Sequence, residues 1–342
     1  MNAGLRVSDE RETWQRELAS AYTDPVALAR DLELPGDFVE RLRRPAPGEF
    51  PMLVPRPLVA RMRRGDPEDP LLRQVLPQAD EGRAVPGFVA DPLEEHDGAL
   101  PGLLHKYRSR ALILVRGGCA VNCRYCFRRH FPYADHGIDA GGLARILEYV
   151  AAHPEINEVI LSGGDPLLMR DPALAGLWGA LAEIPTIRRL RIHTRMPITL
   201  PSRVTDGLLE IVGGARVPAV IVVHVNHPRE IDDAVIDACG RLRGAGALLL
   251  NQSVLLRRVN DRVDTLVALS ERLFDAGILP YYLHLLDRVA GAAHFEVDAD
   301  RARALMAGLH AELPGFLVPR LVREVAGEAS KVPIDLRLGD EG

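Results

Sequence analysis

Lysine is almost missing from this chain. Of 42 basic residues, only Lys106 and Lys331 are lysines. Arginine supplies positive charge by default, so a lysine kept in place points to a site that needs an amine able to lose its proton. Two surplus surface lysines fit the count equally well. No stretch of about 18 apolar residues occurs, which leaves no candidate for a membrane-spanning helix. Basic charge is not in excess: 42 Lys and Arg face 47 Asp and Glu, a net −5. That balance argues against general nucleic-acid binding and leaves room only for a local basic patch. The N-terminus carries charges where a secretory signal needs an apolar core. Cysteine is scarce, and three of the four cysteines are clustered, so no disulfide framework is expected. The expectation is a globular cytoplasmic protein in a reducing compartment.

What is present centres on that cluster. Cys119, Cys123 and Cys126 are spaced C-x3-C-x2-C directly after an apolar run, Ala-Leu-Ile-Leu-Val (111–115), which reads as a strand. Three thiolates on one loop can hold three irons of a [4Fe–4S] cube and leave the fourth open for a small chelating molecule. A zinc site is the alternative; it wants four ligands, and only His130 is near enough in sequence to complete it. Cys239, at what reads as a helix end, is expected to be buried rather than ligating.

Residues 1–95 show helical patterns broken by proline, at 12–22, 24–32, 37–42, 57–62 and 69–75. Asp24 is a candidate N-cap with Pro25 in the first helical position. A proline-rich connector runs from 44 to 57. No catalytic constellation is visible here, and the expectation is a helical collar packed on a main domain, 96–342. From about residue 108 strand-like runs (111–115, 158–162, 189–193, 219–224, 247–251, 281–285) alternate with helical stretches near 139–152, 172–183, 203–212, 229–243, 261–276 and 298–312. That alternation implies an α/β fold with a parallel sheet covered by helices. Six units are too few to close an eightfold barrel, so a partial, curved (βα)6 barrel is expected, with its chemistry at the C-terminal strand ends.

The loop after the second strand reads Ser162-Gly163-Gly164-Asp165-Pro-Leu167. Two glycines let backbone approach a ligand closely, and Asp165 could accept hydrogen bonds from an ammonium. Taken with the cysteine spacing, this resembles the radical S-adenosylmethionine superfamily. Longer blocks sharpen the likeness: Cys-Arg-Tyr-Cys-Phe-Arg-Arg-His-Phe (123–131), Leu-Ser-Gly-Gly-Asp-Pro-Leu (161–167), Asn-His-Pro-Arg-Glu-Ile (226–231) and Asn-Gln-Ser-Val-Leu-Leu-Arg (251–257). From about residue 100 to Lys331 the chain is similar to the lysine 2,3-aminomutase family.

The resemblance implies a radical-SAM barrel with a C-terminal segment binding pyridoxal 5′-phosphate, and three cofactors: a [4Fe–4S] cluster, S-adenosyl-L-methionine and pyridoxal phosphate. It implies that S-adenosylmethionine chelates the open iron near Ser162, Gly163, Gly164, Asp165 and Gln252. Lys331 would be the Schiff-base lysine, although Glu328, Ala329 and Ser330 stand where typical members have glycine. Lys106 and Arg110, in a basic loop before the first strand, would face the cofactor phosphate, with Tyr107 near its ring. Arg128 would pair with the substrate carboxylate, and Asp287 and Glu324 with a distal ammonium; Glu324 replaces a family aspartate. Two carboxylates there favour lysine over glutamate. His193, Arg195 and Asn226 are weaker strand-end candidates.

The implied activity is an isomerase converting (S)-α-lysine to (R)-β-lysine with a flavodoxin- or ferredoxin-type electron donor. The short C-terminus and the lack of extra zinc-binding cysteines resemble the homologue that supplies β-lysine for elongation factor P and its lysyl-transferring ligase. Free β-lysine for metabolism is the alternative. A zinc-stabilised binding protein using Cys119, Cys123, Cys126 and His130 is the alternative from another class.

Overall fold

The computed structural model describes residues 12–42, 49–96, 98–214 and 216–336. The charged N-terminus and the first part of the connector lie outside the described residues. Five short helices come first: α1 (Thr13–Ala19), α2 (Pro25–Asp31), α3 (Gly36–Arg41), α4 (Arg56–Val59) and α5 (Pro70–Arg73). Asp24 caps α2 by accepting from the Val26 N–H, and Asp69 caps α5 through Leu71 and Leu72; in both, proline occupies the first turn. Leu28, Leu58, Leu71, Leu72 and Val75 form an apolar cluster of their own, but it also takes in Val121 from the cysteine loop. The collar therefore packs against the chemistry-bearing loop.

Two strands follow, β1 (Leu103–Tyr107) and β2 (Arg110–Arg116), and then helix alternates with strand: α6 (Ala140–Ala152), β3 (Glu158–Gly163), α7 (Asp171–Ala182), β4 (Arg189–Thr194), α8 (Met196–Thr199), α9 (Asp206–Gly213), β5 (Ala219–Val223), α10 (Asp233–Gly244), β6 (Leu248–Val254), α11 (Val263–Asp275), β7 (Leu279–His284), α12 (Ala299–Glu312), β8 (Arg320–Arg323) and β9 (Val332–Pro333). The nine strands lie side by side in chain order. β2 to β8 are parallel, and β1 and β9 run antiparallel at the two edges. β3 is buried along its whole length, as a strand covered on both faces must be. The main core lies between this sheet and the inward faces of α6, α7, α9 and α10. A second apolar layer joins α11 and α12 to β7 and β8.

The six expected strands are β2 to β7, and the partial barrel stands with three additions. β8, which falls in the strand-like run 316–323 before Lys331, extends the parallel run to seven strands. The basic segment 105–110 is a hairpin rather than a loop: Tyr107 pairs with Arg110 across a two-residue turn, which fixes Lys106 and Tyr107 on a sheet edge. Lys331 sits in the β8–β9 connection, tied back where Arg323 pairs with Val332. Cys239 is buried as expected, but inside α10 rather than at its end. Among the described residues no helix is long and apolar enough to cross a membrane.

Candidate active site

A cavity of about 270 Å³ opens at the C-terminal ends of the parallel strands, and the cofactor and substrate candidates named from the sequence line it, except the weaker candidate Asn226, which is buried against Gln74 and Tyr125 behind it. The topology explains the convergence: parallel strands in chain order deliver the loop after each strand to one rim.

On one side stands the cysteine loop. Gly164 N–H donates to the Arg116 carbonyl at 2.6 Å and Asp165 N–H to the Gly118 carbonyl at 2.7 Å. Gly163 adopts φ +115°, and a Cβ on Gly164 would lie 1.9 Å from the Gly118 oxygen. The glycines are needed because one backbone lies against another. Asp165 also departs from expectation. Its Oδ1 accepts from Leu167 N–H (3.0 Å) and the Thr194 hydroxyl (2.7 Å), and its Oδ2 from the same hydroxyl (2.9 Å) and Arg195 N–H (2.8 Å). Three donors reach its two oxygens, so Asp165 braces the loops after β3 and β4 and most of its accepting capacity is spent within the chain.

Arg128 reaches the cavity from the same loop. Its Nε donates to Glu95 Oε2 at 2.7 Å and its Nη1 to Ser162 Oγ at 3.2 Å. Lys106 Nζ donates to Glu95 Oε1 at 3.0 Å and to the Leu93 carbonyl at 3.0 Å. Glu95 thus bridges two cations that the sequence assigns to separate anions. Burial raises its carboxyl pKa, but Arg128 and then Lys106 outweigh this and hold it below the usual range. Sequence reasoning missed Glu95 because its position depends on a local turn: Asp91 accepts from the N–H groups of Glu95 and His96, and Glu94 takes φ 51°. Nothing in an acidic loop stretch signals that the second Glu points inward.

The opposite side is built from β7 to β9. Lys331 Nζ pairs with Glu324 Oε2, and the Tyr107 hydroxyl donates to Glu324 Oε1 at 2.5 Å. The Arg110 guanidinium covers the Tyr107 ring at 4.2 Å. Glu324 is therefore occupied by the chain's own lysine rather than open. Asp287 has no hydrogen bond or ion pair from its side chain among the described residues. Burial pushes its carboxyl up to about 7, opposed by Lys331 and reinforced by Glu324. His193 and His284 also face the cavity; burial lowers both well below the ordinary histidine range, with Arg191, Lys331 and Arg128 adding to it at His193 and Lys331 at His284. Among the described residues the Nε2 of His193 is buried without a partner.

These residues fit the three implied cofactors. The Cys119 and Cys126 thiols are raised by burial and by the neighbouring cysteines, Cys126 to about 11, so they keep their protons unless metal displaces them. Among the described residues no three His, Cys, Asp or Glu side chains converge on a single-ion position. A cube asks each thiol for a different iron, whereas mononuclear zinc needs all its ligands on one point. His130, the fourth ligand in the zinc alternative, is exposed and bonds the Ala290 carbonyl at 3.1 Å. Cations at Lys106 and Arg110, the amine of Lys331 and the orphaned His193 nitrogen suit a phosphorylated cofactor. Gln252 lines the wall at β6 and adds a side-chain amide.

An open parallel sheet with three cysteines on its first loop defines a class, and the model of the Radical SAM superfamily matches residues 113–269. The L-lysine 2,3-aminomutase of Escherichia coli (strain K12) is 52% identical over 328 residues, 96% of each chain. That of Haemophilus influenzae is 46% identical over 323 residues, 94% of this chain and 95% of the relative. The enzyme of Clostridium subterminale is 35% identical over 271 residues, 79% of this chain and 65% of the relative. The chain belongs to the L-lysine 2,3-aminomutase family.

Proposed function

We propose that this protein isomerises (S)-α-lysine to (R)-β-lysine. The observation that carries the substrate assignment is Asp287, a carboxyl group with no side-chain partner among the described residues, in the same cavity as Arg128, which together suit a molecule with a carboxylate at one end and an ammonium at the other. Bound here, a [4Fe–4S] cluster with S-adenosylmethionine supplies a carbon radical, and pyridoxal phosphate supplies a carbonyl that carries the migrating nitrogen. Cys119, Cys123 and Cys126 would hold the cluster. Ser162, Gly163, Gly164 and Gln252 would border S-adenosylmethionine, with Asp165 fixing the loop. Lys106 and Arg110 would take the phosphate, Tyr107 would flank the ring, and Lys331 would attach the cofactor.

The chain's own part is charge handling and position. Arg128 bonds the chain through Nε and Nη1, and among the described residues its Nη2 has no protein partner, which leaves it for the substrate carboxylate. Glu324 accepts a proton-bearing contact from Lys331 Nζ and, once Lys331 is engaged elsewhere, is free to join Asp287 on the ammonium. A misplacement of about 1 Å between reacting atoms costs roughly 100-fold, so these fixed side chains matter as much as the cofactors.

The higher identity and near-complete mutual coverage with the Escherichia coli and Haemophilus influenzae relatives favour a shared role. As part of the proposal, the β-lysine passes to the ligase that modifies elongation factor P, and the electron comes from a flavodoxin- or ferredoxin-type donor. A cytoplasmic location belongs to the same proposal, since a reducing compartment tolerates an iron–sulfur centre. Residues 1–95 are proposed to serve as a collar for the 96–342 catalytic unit. Anaerobic incubation with lysine, S-adenosylmethionine and reductant, assayed for β-lysine, tests the activity. Glutamate as the better substrate overturns the assignment of Asp287, and a preparation that takes up zinc but no iron overturns the enzyme itself.

A further inference from the structure

Behind the cysteine loop lies a buried polar network not yet given a role. Arg195, the residue after β4, is 7% exposed. Its Nη1 donates to Cys123 Sγ at 2.7 Å, and its Nη2 to Gln74 Oε1 at 2.7 Å and Glu230 Oε2 at 2.8 Å. Glu230 is fully buried, and its Oε1 accepts from the Asn226 and His227 N–H groups at 3.0 Å and from Gln74 Nε2 at 3.1 Å. Arg195's own N–H is held by Asp165. A guanidinium fixed from both ends can point only at the sulfur. Burying such a pair is costly, and aligning it this closely with one cysteine gives the cost a purpose.

We infer that Arg195 is a positioning residue for the cluster, donating to the Cys123 sulfur and raising the reduction potential of the centre bound there. The inference rests on the cluster assignment made above. Hydrogen bonds to ligand sulfurs and nearby charge are the protein's levers on such potentials. Reduction adds negative charge to the centre, which a cation at hydrogen-bond distance stabilises and a buried carboxylate destabilises. Glu230 therefore tempers what Arg195 supplies, and Gln74 brings the N-terminal collar into the same control.

The test is redox titration of anaerobically reconstituted full-length protein, followed by electron paramagnetic resonance, with iron content measured for each variant. In Arg195→Gln, at wild-type iron content, the reduced-to-oxidised ratio at a fixed potential falls about tenfold, a negative shift of about 59 mV for one electron. Arg195→Lys keeps the charge and shifts less. Glu230→Gln shifts the midpoint the opposite way, which a merely loosened loop would not do. An unchanged midpoint in Arg195→Gln, or the same sign in both variants, overturns the inference. If either variant fails to hold iron, pulsed resonance on wild-type protein labelled with nitrogen-15 arginine decides. Coupling to a guanidinium nitrogen that disappears in Arg195→Lys supports it, and no coupling overturns it. A wild-type protein that binds no cluster defeats the proposed function instead.

Discussion

The two sides of the cavity handle charge differently. On the side made by the loops after β2, β3 and β4, polar groups are bonded to one another several times over: Asp165 has four contacts to three residues, and Arg195 reaches three side chains. On the side made by β7 to β9, Asp287 has none among the described residues, and Lys331 and Glu324 share a single ion pair that is 24% and 14% exposed. A saturated wall cannot exchange partners without breaking buried hydrogen bonds, so it suits permanent fixtures. An unsaturated wall costs little to rearrange, so it suits a substrate that comes and goes.

The largest test of this contrast is Lys331→Ala. Activity should fall by roughly 10³-fold or more, the scale of losing a positioned reactive group, with loss of the cofactor absorbance on adding pyridoxal phosphate. The fold should survive, because the lysine lies in a hairpin connection; a cooperative unfolding loss in denaturant would break the contrast. Glu95→Gln probes the saturated side. It strips the carboxylate from Arg128 and Lys106, and should cost about 3–5 kcal/mol in denaturant titration at neutral pH. Because the Glu95 carboxyl is held low when folded, its stabilisation is present above the unfolded value near pH 4.3 and is lost as pH falls through the folded value. The variant should show a flatter acid arm.

Asp287→Asn should lower kcat/KM for lysine by about 10- to 100-fold, the worth of a hydrogen bond to a charged group. Its pH signature is distinct. The carboxyl is raised to about 7, so lysine binding to the native enzyme should tighten as pH rises through that value and then level off. The variant should lose that rise. The same shift makes ionised Asp287 unfavourable for the fold, so its contribution to stability declines from about pH 4 to 7, and Asp287→Asn should flatten that decline. The smallest effect is expected from Tyr107→Phe, which removes one hydrogen bond to Glu324 and should cost about 1.5 kcal/mol in thermal unfolding.

Much of the catalytic unit was legible in the chain itself. Strands β2 to β7 announce themselves as short apolar runs between amphipathic helices, because a parallel strand buried on both faces has no polar side to show. β1 and β9 did not, since an edge strand of two to five mixed residues carries no such run. The cysteine spacing, the glycine pair and the lone lysines pointed to the residues that line the cavity. Asp165 was read as a ligand for an ammonium because a carboxylate in a glycine turn looks available; the fold turns most of its bonds to Leu167, Thr194 and the Arg195 N–H. Glu95 was silent, as its inward aim rests on one residue with positive φ and the carboxylate of Asp91.

What the sequence by itself determined is the kind of chemistry: which residues can bind iron, form a Schiff base or pair with a carboxylate is a property of side-chain type and local spacing. What only the tertiary structure decided is which of those groups are free. Lys106, Arg128, Arg195 and Glu324 are each paired by residues between 7 and 217 positions away in the chain. Pairing over such distances depends on where seven parallel strands set down their loops. Among the described residues Asp287 is left unpartnered by that arrangement, and so becomes the charge proposed to meet a substrate ammonium.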